Sequence, residues 1–119
     1  MIKQKIKPVL PSFREKKRYL AFEVISKNKI KDSSLVYKSI SDSLAKFIGE
    51  LGMAKAGLIM LKDKWNDDKQ RGLIRANRLY IEHLRAALAL ITKVGSAEAI
   101  VRSVGVSGIL KKAEARYLV

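Results

Sequence analysis

A chain of 119 residues with 48% apolar content fits one domain with a modest core. Lys and Arg number 25 against 11 Asp and Glu, a formal charge of +14, which favours a polyanion as partner: RNA, DNA or an acidic membrane surface. The lack of cysteine excludes disulfides and thiolate zinc sites, and no apolar run approaches the roughly 18 residues of a spanning helix. The N-terminus MIKQKIKPVLP carries cations but no apolar signal core. A cytoplasmic location, with no membrane partner, is the expectation.

Residues 1–11 carry Lys3, Lys5 and Lys7, then Pro8 and Pro11, and are expected to form a flexible basic tail ahead of one domain over 12–119. The next stretch concentrates Arg14, Lys16, Lys17 and Arg18 immediately before an apolar run. Alternation predicts a strand over Arg18–Ser26, with Leu20, Phe22 and Val24 on the core face. Tyr19, Ala21, Glu23 and Ile25 take the other face.

Asp32 or Ser33 can cap a helix running to about Leu51, with Val36, Ile40, Leu44, Phe47, Ile48 and Leu51 as its stripe. Gly49 weakens the last turn and Gly52 supplies a stop. Lys55–Lys64 and Gln70–Asn77 read as strands joined by turn chemistry at Asn66-Asp67-Asp68, a hairpin. A second helix is expected over Leu79–Thr92, ended by Gly95, with Tyr80, Leu84, Ala87, Leu88 and Ile91 as its stripe. Ala97–Val106 reads as a fourth strand, broken by Gly105–Gly108, and Ile109–Tyr117 as a short C-terminal helix.

This order predicts an α+β fold, an RRM-like or ferredoxin-like split βαβ sandwich. A four-stranded antiparallel sheet would carry two main helices on one face, plus the short C-terminal helix.

Catalytic groups are not assembled by this sequence. The single histidine, His83, lies beside the apolar stripe of the second helix and reads best as structural or solvent-facing. Asp63, Asp67 and Asp68 are interleaved with Lys62, Lys64 and Lys69, which suits a solvated hairpin tip better than a hard-cation site. No catalytic residue and no metal ligand is assigned. Gly105–Gly108 has the bare GxxG form, and Lys111 and Lys112 follow it; a turn presenting N–H groups to an anion and a plain turn are both open.

An RRM stacks bases on sheet aromatics. The third strand, RGLIRAN, has none, and Tyr19 is the one plausible stacking side chain on the outer face. The remaining outer residues mix Ile25, Leu73 and Ala21 with Arg71 and Arg75, a mixture suited to a protein partner or a structured RNA. The cations Arg14, Lys16, Lys17, Arg18, Arg71, Arg75, Arg78, Arg102, Lys111 and Lys112 fall at strand ends or loops. Singly each is a solvated charge; together they indicate nucleic acid.

Three blocks carry a resemblance: LPSFREKKRYLAFEV (Leu10–Val24), Gly72–Ile91 and VRSVGVSGILKKAE (Val101–Glu114). They resemble the archaeal ribonuclease P protein component two, the Pop-five family, over about Pro8 to Glu114. The resemblance implies an RRM-like subunit of ribonuclease P, the endoribonuclease that removes the 5′ leader from precursor tRNA. It implies that the RNA subunit, using Mg²⁺, is the catalyst, and that this chain holds no cofactor of its own. Its implied partners are ribonuclease P RNA, precursor tRNA and the TIM-barrel-like component three, with self-association of two such pairs into a heterotetramer.

Within that frame the RNA-contacting residues are expected to be Arg14, Lys16, Lys17, Arg18, Tyr19, Arg75, Arg102, Lys111 and Lys112. Arg75, Arg102 and Lys111 would extend the basic surface begun by Arg14–Arg18. Ile25 and Leu73 are the expected protein-facing residues. The alternative function is an assembly scaffold within the same particle. No role is assigned to the Lys-rich tail.

Overall fold

The computed structural model describes residues 16–119; the expected tail and Arg14 lie outside the described residues. In chain order the elements are β1 (Lys17–Ser26), α1 (Ser33–Ala56), β2 (Ile59–Asn66), β3 (Arg71–Asn77), α2 (Ile81–Ala89), β4 (Lys93–Val94), β5 (Ala97–Ser107) and α3 (Leu110–Ala113). A 3-10 turn, Arg78–Tyr80, leads into α2, and a π-helical turn, Glu114–Leu118, follows α3. The sheet is antiparallel throughout, in the order β2-β3-β1-β5-β4.

The α+β class is as expected, but the sheet has five strands rather than four. The extra one, β4, is two residues long, too short to show any alternation in sequence. Gly95, read as a helix stop, instead adopts φ +62° in the tight turn that pairs Val94 with Ala97. Accordingly α2 ends at Ala89 and leaves Leu90 exposed.

β1 sits at the centre of the sheet because it has apolar side chains on both faces. Leu20, Phe22 and Val24 meet Val36, Tyr37, Ile40 and Leu44 of α1 and Leu84 and Leu88 of α2 in the main core. Burying each such side chain contributes about 1.5–3 kcal/mol, so the start of β1 is held firmly. Tyr37, absent from the expected stripe, fills the space over Gly72, where a Cβ would stand 2.6 Å from its hydroxyl. That hydroxyl donates to the Leu61 carbonyl at 3.2 Å, and burial raises its pKa.

Asp32 caps α1, accepting from the Ser34 backbone N–H at 3.0 Å. The helix does not stop near Leu51. It breaks at Gly49 (φ 74°, ψ 177°) and resumes as far as Ala56. The break shifts the helical phase, so Leu51 is 70% exposed although it falls on the expected stripe, and Phe47 is 49% exposed.

The opposite sheet face is not open. The segment from α3 to Leu118 lies across it, and Ala113 and Leu118 join Ala21 and Leu73 in a second buried cluster. β5 continues through Gly105 to Ser107 instead of breaking there. A bulge lies between the pairs Ala21–Gly105 and Phe22–Ser103, and Val104, the extra residue, packs into the second cluster.

Candidate nucleic-acid interface

Four segments meet at one end of the sheet: the start of β1, the end of β3, the end of α1 and the turn after β5. Asn77 is the node. It is 2% exposed; its Nδ2 donates to the Lys55 carbonyl at the end of α1 at 2.5 Å, and its Oδ1 accepts from Lys17 Nζ. The Arg78 backbone N–H donates to the Lys16 carbonyl at 2.7 Å, which seats Arg78 beside the cations of β1. Arg18 donates to the Lys17 carbonyl at 3.0 Å and lies against Gly108, with Nη1 3.6 Å from where a Cβ would stand.

Lys111 and Lys112 follow that turn on the exposed side of α3. Among the described residues, no carboxylate forms an ion pair with Lys16, Arg18, Arg78, Lys111 or Lys112. A set of cations fixed by backbone bonds and left without carboxylate partners is suited to polyanion phosphates.

The other expected residues divide. Arg75 is opposite Tyr19 in the sheet register and is partly buried; its Nε has no hydrogen-bond partner among the described residues. Tyr19 is partly buried and packs into the second cluster, so it does not offer an open stacking face. Arg102 does not extend the basic end. It pairs with Glu23 at 2.7 Å, five residues further along β1 than Arg18 and so roughly 17 Å away.

Arg71 also pairs with Glu23, at 3.2 Å, and donates to the Tyr117 carbonyl at 2.9 Å. Burial pushes the Glu23 pKa up, but hydrogen bonds and charge from Arg102 and Arg71 outweigh it, and the net shift is downward.

Leu73, expected on a protein-facing surface, is fully buried. Its outward face is roofed by Ala113 and Leu118, which the sequence pattern of β3 could not report. Ile25 is 47% exposed and stands opposite Ile100, itself 61% exposed, beyond the reach of that roof. Neither Gly105 nor Gly108 has a positive φ, so the alternating backbone of an anion nest is not formed at the GxxG. Gly105 serves packing: the Tyr117 ring lies where its Cβ would be.

His83 is exposed on α2. Asp67 is used at the hairpin tip, where Gln70 Nε2 donates to its carbonyl at 3.0 Å. Among the described residues there is no grouping of three or more His, Cys, Asp or Glu side chains able to hold a metal, and no helix long and apolar enough to cross a membrane.

The model of the Rpp14/Pop5 family matches residues 18–118. The chain belongs to this family. It is 34% identical to the ribonuclease P protein component 2 of Thermococcus gammatolerans, over 98% of this chain and 95% of the relative. To the protein of the same name from Pyrococcus abyssi it is 36% identical, over 96% and 94%. The Archaeoglobus fulgidus protein of that name is 34% identical, over 95% and 98%. In fold the chain is similar to a chain of the cryo-EM structure of yeast ribonuclease MRP, with a TM-score of 0.61 and 13% identity, covering 80% of this chain and 76% of that one.

Sequence reasoning about this Rpp14/Pop5 protein missed two residues that build the basic end. Asn77 looked like the last residue of a strand, and Lys55 like the first of another. The available signal was Gly57, one residue beyond a Lys-Ala pair: a glycine past a cation is how a helix ends, and Gly57 is indeed the α1 cap at φ 60°.

Proposed function

We propose that the chain is a non-catalytic, RNA-binding protein subunit of ribonuclease P, supporting a catalytic RNA in removing the 5′ leader from precursor tRNA. The observation that carries this is the basic end, where Lys16, Arg18 and Arg78 are held by the fold and have no carboxylate partner among the described residues. The near full-length relatives named for ribonuclease P support the choice of particle.

In this reading Mg²⁺ belongs to the RNA, and the protein supplies cations that offset phosphate repulsion as the RNA folds. Because β1 is anchored by Leu20, Phe22 and Val24, the entropy of ordering these charges is already lost on folding.

The test is the triple variant Lys16→Ala, Arg18→Ala, Arg78→Ala. It should keep its circular dichroism spectrum and reduce precursor-tRNA cleavage by the reconstituted particle. Its binding should also depend less on salt, by about one slope unit per phosphate contact removed. Full cleavage with an unchanged slope would overturn the assignment. Lys17 is left in place because it bonds Asn77.

A protein contact is supported by a separate observation, the exposed pair Ile25–Ile100, which borders a hollow of about 790 Å³ shared with Ile91 and Ala99. The TIM-barrel-like component three is the proposed occupant of that surface. Ile25→Glu should abolish that pairing while RNA binding by the isolated chain persists; retained pairing would remove Ile25 from the contact.

A further inference from the structure

The aromatic and imidazole rings of the described residues fall into three groups. Phe22, Tyr37 and Trp65 touch one another in the main core. Tyr19 and Tyr117 pack into the second cluster under the C-terminal segment. The remaining three, Phe47, Tyr80 and His83, belong to neither cluster, yet they lie together. The Tyr80 and His83 ring centroids are 5.1 Å apart, tilted by 40°, and those of Phe47 and His83 are 6.2 Å apart, tilted by 56°. Phe47 and His83 are exposed and Tyr80 is partly so.

Packing explains little about this trio. It sits on the helical layer, away from the sheet, between the end of the first segment of α1 and the start of α2. Tyr80 closes the 3-10 turn that begins with Arg78, and Arg78 is tied to Lys16 at the basic end. Lys46, also exposed, precedes Phe47. Flat rings flanked by cations are how proteins hold unpaired bases beside a phosphate backbone. The sheet face that an RRM uses for stacking is closed here by the C-terminal segment.

The geometry points to Phe47, Tyr80 and His83 as a stacking site for an unpaired nucleobase of the same RNA whose phosphates rest on Lys16, Arg18 and Arg78. This rests on the RNA-binding reading above and adds the feature the RNA must have: a base free of pairing next to a backbone. A protein partner is the less favoured occupant, because the trio adjoins the basic end, while the exposed aliphatic pair Ile25–Ile100 lies near the opposite end of β1.

The test uses the full chain and two short RNA hairpins of equal charge. One carries a bulged aminopurine, a fluorescent base analogue; in the other that base is paired. The wild-type protein should quench the bulged probe on binding. Phe47→Leu keeps an apolar side chain but no ring, and His83→Ala removes the second face; each is read alone and both are combined. The double variant should bind the bulged RNA about tenfold or more weakly, lose the quenching and bind the paired RNA as before.

Unquenched binding by the wild type, or equal losses on both RNAs, would overturn the stacking site. So would full binding by the double variant. If the wild type binds neither hairpin, the RNA-binding reading itself falls.

Discussion

A methyl group on Gly105 would begin 2.2 Å from the Tyr117 ring, closer than any contact the ring can tolerate. Gly105→Ala must therefore displace Tyr117, and overpacking of this kind costs typically about 1–3 kcal/mol. A lower urea midpoint, accompanied by a change in tyrosine fluorescence, is the expected outcome. Gly49 makes the opposite argument. Nothing lies within 4 Å of its absent Cβ, but its backbone (φ 74°, ψ 177°) is one that essentially only glycine adopts. Gly49→Ala should cost about 1–3 kcal/mol with no steric clash at all, measurable as a fall in thermal midpoint.

Glu23 adds a pH dependence. Its folded-state pKa lies below the ordinary value of 4.5, so its contribution to stability is present above that value and is lost as pH falls through the folded-state pKa. Wild-type stability should drop across that acid window more steeply than that of Glu23→Gln, read from urea midpoints at a series of pH values. Parallel curves would remove Glu23 as the titrating group.

At the scale of elements, β1 was legible because ten residues alternate between a large-apolar face and a mixed one. The C-terminal segment was not. Only Ala113 and Leu118 of its residues are buried, too sparse a stripe to reveal a docking face. What it covers was hidden too: Ala21 and Leu73 alternate with Glu23, Arg71 and Arg75, so that face reads as solvent-exposed.

The structure shows how the segment is held. Lys64 and Glu114 pair at 2.5 Å, Asn66 donates to the Leu118 carbonyl at 2.5 Å, and Lys69 donates to the carbonyl of Val119. Deleting residues 109–119 should uncover Ala21 and Leu73 while leaving the helical layer in place. Increased binding of a hydrophobic dye with nearly unchanged far-ultraviolet dichroism is the outcome that checks this. The basic end was legible only as composition. The pairing of Arg102 with Glu23 is a long-range contact that no local pattern encodes, so Arg102 could not be told from the cations that stay without carboxylate partners.

Across the whole molecule, cations divide into those the fold neutralises and those it presents. Arg71 and Arg102 converge on Glu23, and Lys64 on Glu114; Lys16, Arg18 and Arg78 converge on one another across the ends of β1 and β3. Gathering like charges costs stability through repulsion, whereas an ion pair such as Arg102–Glu23, with the arginine side chain 54% exposed, contributes about 1 kcal/mol or less.

The two groups should therefore respond oppositely to substitution. Lys16→Ala with Arg18→Ala should leave the thermal midpoint unchanged or slightly higher. It should also reduce the slope of log binding constant against log salt by roughly two units, at about 0.9 per duplex phosphate. Arg102→Ala should lower the midpoint and leave that slope nearly untouched. Both quantities come from melting curves and from RNA titrations at four or more salt concentrations. If Arg102→Ala flattened the slope as strongly as the double variant does, the division between neutralised and presented cations would not hold.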